Sequence, residues 1–289
     1  MVTGFSSSPG IAADVLMSAF AMFSLKSPSR RAFAKDRTEG HVDTIDGLEP
    51  VPGDTSMRER LDAVSPAWLR PLFTSIVRHL PRGQGLEEMA LLDGAYGVAL
   101  DGTGYVSATT IHGASCLPKG HRNGRVTYAH QMLGAALIHP DVRAVIPWRP
   151  EPIVKHDGAD THDGDRHAAT RLVAQVRQDH PHLKCIVTAD RLSSNAPHLE
   201  TLHAYDLHDS LGVNEGEQAL RLQQVQAAEH TGRVTDDARH DRAAGLRHRC
   251  RLGNDVPLKE ANAAVRVNCI ASWERGDEKV QHVSGVTDL

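Results

Sequence analysis

Two aspartates, each closing an apolar run, are the residues of this chain best placed to do chemistry. Asp101 ends the run YGVALD and is followed by Gly102-Thr103-Gly104, while Asp190 ends LKCIVTAD and is followed by RLSSN. Acids at the ends of buried strands can converge at one edge of a sheet and hold a divalent cation against a phosphate. Asp101 and Asp190 are therefore the candidate catalytic residues and metal ligands, with Mg2+ (or Mn2+) as the expected cofactor. Magnesium takes hard oxygen ligands and keeps several waters, so few protein ligands suffice. Gly102 and Gly104 would let a phosphate or a backbone approach closely. Asp at a strand end also serves as a turn former or helix cap, so spacing alone does not decide between these roles.

Other arrangements carry less. His112, Cys116, His121 and His130 could make a zinc site, but no CxxC accompanies them and scattered loop histidines are the better account. The stretch from His156 to His167 is rich in His and Asp without a fixed ligand spacing, and reads as an acidic loop leading into a helix. There is no GxSxG, no phosphate-binding loop of the Walker type, and no third glycine after Gly102 and Gly104 for a dinucleotide loop.

The elements that must position the two acids follow from periodicity. Residues 97–107, 126–139 and 144–155 read as three successive strands, 162–179 as a helix, 183–188 as a central strand, 195–205 as a helix and 210–213 as a strand. Asn195 is the expected cap of the second helix, with Pro197 in its first turn. A meander followed by βαβ units predicts an α/β fold with a mixed sheet flanked by helices. Beyond about residue 219 the pattern weakens to an irregular β-rich part, with strands at 265–270 and 280–286.

Ahead of the sheet lies a helical region, 11–90, behind a disordered tail of residues 1–10. Asp14 is its expected first cap, with Leu16, Ala19, Phe20 and Phe23 on one apolar face. Ser27-Pro28-Ser29 interrupts that helix, and residues 38–54 read as a loop. Trp68, Leu69, Leu72, Phe73, Ile76, Val77 and Leu80 form a stripe expected to be core, with Pro71 either in a first turn or at a kink.

At 289 residues the chain can bury a sizeable core without staples, and its 40% hydrophobic and 24% charged residues are ordinary for a globular protein. Aromatics at 4% leave the core to Leu, Val, Ile and Ala. Net charge is −4, which argues mildly against a dedicated nucleic-acid binder. Two basic clusters run against that balance: Lys26, Arg30, Arg31, Lys35 and Arg37, and then Arg239, Arg242, Arg247, Arg249 and Arg251. Four separated cysteines and the lack of a long apolar span or a basic leader predict a cytoplasmic protein with no membrane partner.

Six collinear segments resemble bacterial insertion-sequence transposases of the DDE class, the IS-four-like group. They are FAMFSLKSPS at 20–29, DTSMRERLD at 54–62, LDGTGY at 100–105, YAHQMLGAA at 128–136, PEPIVK at 150–155 and DRLSSNAP at 190–197. The resemblance implies an RNase H-like catalytic domain over residues 91–289, and makes Asp101 and Asp190 the first and second catalytic acids. It implies two-metal cleavage and strand transfer of insertion-sequence DNA, with insertion-sequence ends and a second copy of the chain as expected partners. The family's third acid is a Glu in a helix after a strand resembling 283–289. Glu274 and Glu278 precede that strand, so neither matches, and a copy truncated at the C-terminus is expected. Ala129, Ser272, Gly285, Asp236 and Asp237 stand where such transposases carry aromatics. A catalytically inactive DNA-binding remnant is the alternative, and a metal-dependent hydrolase using the His/Asp stretch is a third reading.

Overall fold

In the computed structural model, the apolar faces of three strands and one long helix close on each other, and this packing orients the candidate site. The structure describes residues 9–38, 53–80, 86–110, 112–113, 116–155, 161–190, 195–213, 223–229, 232–241, 245–258, 264–276 and 280–289. Contacts divide the chain into Met1–Arg70 and Pro71–Leu289, a boundary earlier than the change of pattern read near residue 90.

The first unit holds α1 (Pro9–Ser24), α2 (Arg30–Thr38) and α3 (Asp54–Asp62). Ala19, Ala21, Met22, Phe33 and Met57 form its core, with Leu61 packed against them. Three expectations change here. Pro9 and Gly10 already belong to α1, so Asp14 lies inside the helix and does not cap it. Val15, Ser18, Ala19 and Met22 are buried, whereas Phe20 and Phe23 are exposed. Most residues of α1 are apolar and lie all round the helix, so spacing alone could not choose the buried face. Residues 1–8 and most of the expected loop at 38–54 lie outside the described residues.

Pro66–Leu69 forms a 3₁₀ turn before α4 (Arg70–His79), which places Pro71 in a first turn without a kink. Most of the expected core stripe is not core. Trp68, Leu72 and Ile76 are exposed, while Val77 is buried and Leu80 packs beside it.

The second unit is built on a ten-stranded mixed sheet: β1 (Tyr96–Ala108), β2 (Leu117–Gly120), β3 (Val126–Ile138), β4 (Ile146–Ile153), β5 (Cys185–Ala189), β6 (His208–Gly212), β7 (Val234–Asp241), β8 (Leu246–Pro257), β9 (Arg266–Arg275) and β10 (Val280–Thr287). Their order is β2-β3-β1-β5-β6-β10-β9-β8-β7, with β4 pairing β3 beyond the stretch that β2 occupies. β1, β5 and β6 are mutually parallel, and β3 is antiparallel to β1. The fold class is α/β, and the meander followed by crossovers runs as the sequence pattern indicated. The short β2 and the hairpin β7–β8 are additions to that reading. β7 has no buried residue, so it lacks the alternation that would announce a strand.

Helix α5 (Thr161–Asp179) lies between β4 and β5 in the chain, and α6 (Ala196–Ala204) between β5 and β6. Asn195 caps α6, its side chain accepting from the His198 N–H at 3.2 Å, and Pro197 sits in the first turn. Ala168, Leu172, Val173 and Val176 of α5 pack with Val98 and Leu100 of β1 and with Cys185 and Val187 of β5. Below them Arg149 and Asp179 pair at 3.0 Å, and Asp179 also accepts from Thr74 at 2.9 Å. Glu151, buried on β4, pairs with Arg171 of α5 at 2.9 Å. The polar ring thus ties β4 to α5 where a slip would expose charge.

Candidate metal and nucleic-acid site

Core packing sets the register of the two segments that carry the acids. Val98 pairs with Val187, and Leu100 with Ala189, in the parallel ladder between β1 and β5. Val98, Leu100 and Val187 are buried in the cluster that α5 caps. Successive side chains of a strand alternate faces. Asp101 and Asp190 each follow the last rung, Leu100–Ala189, by one residue, and both are exposed. The register therefore places the two residues one position past a shared rung on neighbouring chain segments, and alternation within β1 turns Asp101 away from the face that carries Leu100.

One detail of the sequence reading is corrected. Asp190 directly follows β5, but Asp101 does not end its strand. β1 continues through Ala108 with β3 as its neighbour, and Asp101 marks only the end of its pairing with β5. This agrees with the strand read over residues 97–107, so Asp101 ends an apolar run but not a strand.

A third carboxylate stands near, and sequence reasoning missed it. A Cβ built on Gly102 would lie 3.1 Å from Asp165 Oδ1 and 3.3 Å from Oδ2, so Asp165 of α5 leans over the backbone next to Asp101. It comes from the α5 side of the sheet, whereas alternation turns Asp101 to the opposite side. Asp165 belongs to the His/Asp stretch, of which residues 156–160 lie outside the described residues and Thr161–His167 form the first turns of α5. Among the described residues, Asp101, Asp165 and Asp190 do not draw three ligand atoms within 4.8 Å of one another. Carboxylate oxygens are hard donors, which suit magnesium or manganese better than a softer metal.

The histidines and cysteine of the zinc alternative separate. Cys116 Sγ and His130 Nε2 meet at 3.3 Å. His112 stacks on Tyr128 with ring centres 3.8 Å apart, and His121 bonds Thr127 at 2.8 Å. No three of them form a ligand group among the described residues. His130 and Gln131 lie on β3 opposite Val106 and Gly104, beyond Asp101 along β1, and Lys155 follows the end of β4.

A basic surface lies on the far hairpin. Arg239, His240, Arg247, His248, Arg249 and Arg251 of β7–β8, with Trp273 and Arg275 of β9, line an open cleft of about 720 Å³. Some of this charge is internally paired: Arg249 grips Asp236 through two nitrogens at 3.1 and 2.5 Å, and Arg251 meets Glu229 at 2.8 Å. The pairing draws the Asp236 carboxyl below its ordinary range. Arg247 and Arg275 face each other across the β8–β9 ladder and concentrate positive charge there.

No family model and no curated protein matches this chain. Among solved structures, the cryo-EM structure of piggyBac transposase synaptic complex with hairpin DNA is similar at a TM-score of 0.43 and 10% identity. That match covers all of this chain and 54% of the other, so the chain spans about half the length of that structure. Among the described residues, no helix is long and apolar enough to cross a membrane.

Proposed function

We propose that this chain is a DNA transposase of the DDE kind, working on insertion-sequence ends through divalent metal held by Asp101 and Asp190. The observation that carries the reading is the parallel register of β1 and β5, which brings both acids one residue past a shared rung. The six collinear sequence segments that resemble insertion-sequence transposases support it. So does the strand order β4-β3-β1-β5-β6, a three-strand meander continued by two parallel crossovers, which suits an RNase H-like catalytic domain.

In this reading the carboxylates of Asp101 and Asp190 supply oxygen ligands. A divalent pair there, about 4 Å apart, would activate a water or a DNA 3′-hydroxyl and stabilise the leaving oxygen. The arginine cleft would take phosphates, positioning the duplex without reading its sequence. The test is nicking, in Mg2+ or Mn2+, of duplexes made from the DNA flanking the coding sequence. Metal-dependent nicking abolished by Asp101→Asn and by Asp190→Asn supports the proposal. Nicking that survives both substitutions overturns it.

A second reading has its own observation. Asp101, Asp165 and Asp190 do not close into a three-ligand group, which suits a chain that binds DNA and metal without cleaving. It would then interfere with an active relative. Manganese binding without nicking, and reduced transposition on co-expression with a full-length relative, distinguish this reading from the first.

A further inference from the structure

At the opposite end of β6 from the acid pair, four side chains from three elements crowd together. His203 lies in the last turn of α6, His208 and Asp209 begin β6, and Asp288 directly follows β10. His203 Nε2 stands 3.0 Å from Asp209 Oδ2 and 3.8 Å from Asp288 Oδ2. His208 Nδ1 stands 2.9 Å from the same Asp288 oxygen. One ligand atom each from His203, Asp209 and Asp288 fits within 4.8 Å of the others.

Tetrahedral zinc with ligand bonds of about 2.0–2.2 Å needs its ligand atoms roughly 3.3–3.5 Å apart. The 3.0 and 3.8 Å separations bracket that span. The supporting contacts are built in. The backbone N–H of Asp209 donates to Asp288 Oδ1 at 2.9 Å, and Thr287 Oγ1 donates to the Asp209 carbonyl at 2.5 Å. These bonds hold Asp288 Oδ2 toward the two histidines, the role outer contacts play at metal centres.

The cluster also holds an unsatisfied buried atom. Asp209 is fully buried, and its Oδ1 has no hydrogen-bond partner. A buried carboxylate oxygen without a partner is costly.

We propose that His203, Asp209 and Asp288 form a binding site for a zinc-type divalent ion, with His208 as the fourth ligand or as a partner orienting Asp288. Mixed imidazole and carboxylate donors favour zinc over magnesium. The site ties the end of α6 and the start of β6 to β10, and so has a structural role apart from the acid pair.

The test uses the full chain stripped of metal, with Zn2+ titrated by calorimetry and Co2+ as the spectroscopic probe. The wild type is expected to bind Zn2+ and to melt at higher temperature with it. His203→Gln and Asp288→Asn, at positions that retain solvent exposure, are each expected to weaken binding at least tenfold and to lose the melting shift. Bound Co2+ is expected to show four-coordinate bands without a thiolate charge-transfer band. Wild type that takes up no Zn2+, variants that bind it as tightly as wild type, or a thiolate band assigning the ion to Cys116 would each overturn the proposal.

Discussion

Asp190 and Asn195 announced themselves because their signals are local: an apolar run ending in acid, then a cap with proline two residues on. Asp165 and the trio of His203, Asp209 and Asp288 did not. Asp165 sits in a uniformly polar stretch, and Asp209 meets Asp288 across 79 positions of the chain, so only the folded register reveals either. Gly102 tests the Asp165 contact at this scale. Gly102→Val adds bulk where even a Cβ would meet Asp165 Oδ1 at 3.1 Å; the start of α5 must give way, and the melting temperature is expected to fall by a few degrees. An unchanged melting temperature would show that this close contact is incidental. His198 gives a pH test. Burial, and then the Arg166 charge, lower its imidazole to about 4 from 6.5. The unfolded chain takes up a proton below 6.5 that the folded chain refuses until about 4, so stability falls as pH drops through that window. At about 1.4 kcal/mol per pH unit the loss is on the order of 3 kcal/mol. Urea midpoints at pH 7 and pH 4.5 are expected to differ by less in His198→Leu than in the wild type.

At the scale of elements, the strands and helices around the acids were legible because each buries one face and so carries its period. The β7–β8 hairpin was not, since β7 is exposed almost throughout and polar on both faces. In α1 the reverse holds: too many apolar residues left its buried face undetermined. The ring joining β4 to α5 carries a stability test. Asp179→Ala would take the carboxylate away from the buried Arg149 guanidinium, and a loss of about 3–5 kcal/mol is expected in urea unfolding. A loss below about 1 kcal/mol would mean that the ring is incidental. The hairpin carries a binding test. Arg247→Ala with Arg275→Ala, at the cleft of β7–β9, is expected to weaken DNA binding and to flatten its dependence on log salt by about 2. An unchanged slope would remove the cleft from the DNA path.

For the whole molecule, a net charge of −4 coexists with the basic run at residues 239–251, which the fold sets on one hairpin surface beside Arg275. Distribution, not the total, sets the local potential that a phosphate meets. The α/β class and the meander-then-crossover order were readable from the chain because burial imposes period. The two candidate acids were readable one by one, but the rung that β1 and β5 share just before them is a property of strand register. That the two acids hold metal together is the central claim, and Mn2+ binding followed by electron paramagnetic resonance tests it most directly. Working in a His203→Gln background keeps the α6–β6–β10 cluster silent. The account expects bound Mn2+ in that background, weakened at least tenfold by Asp101→Asn and equally by Asp190→Asn. Equal Mn2+ binding with and without those two carboxylates would contradict it.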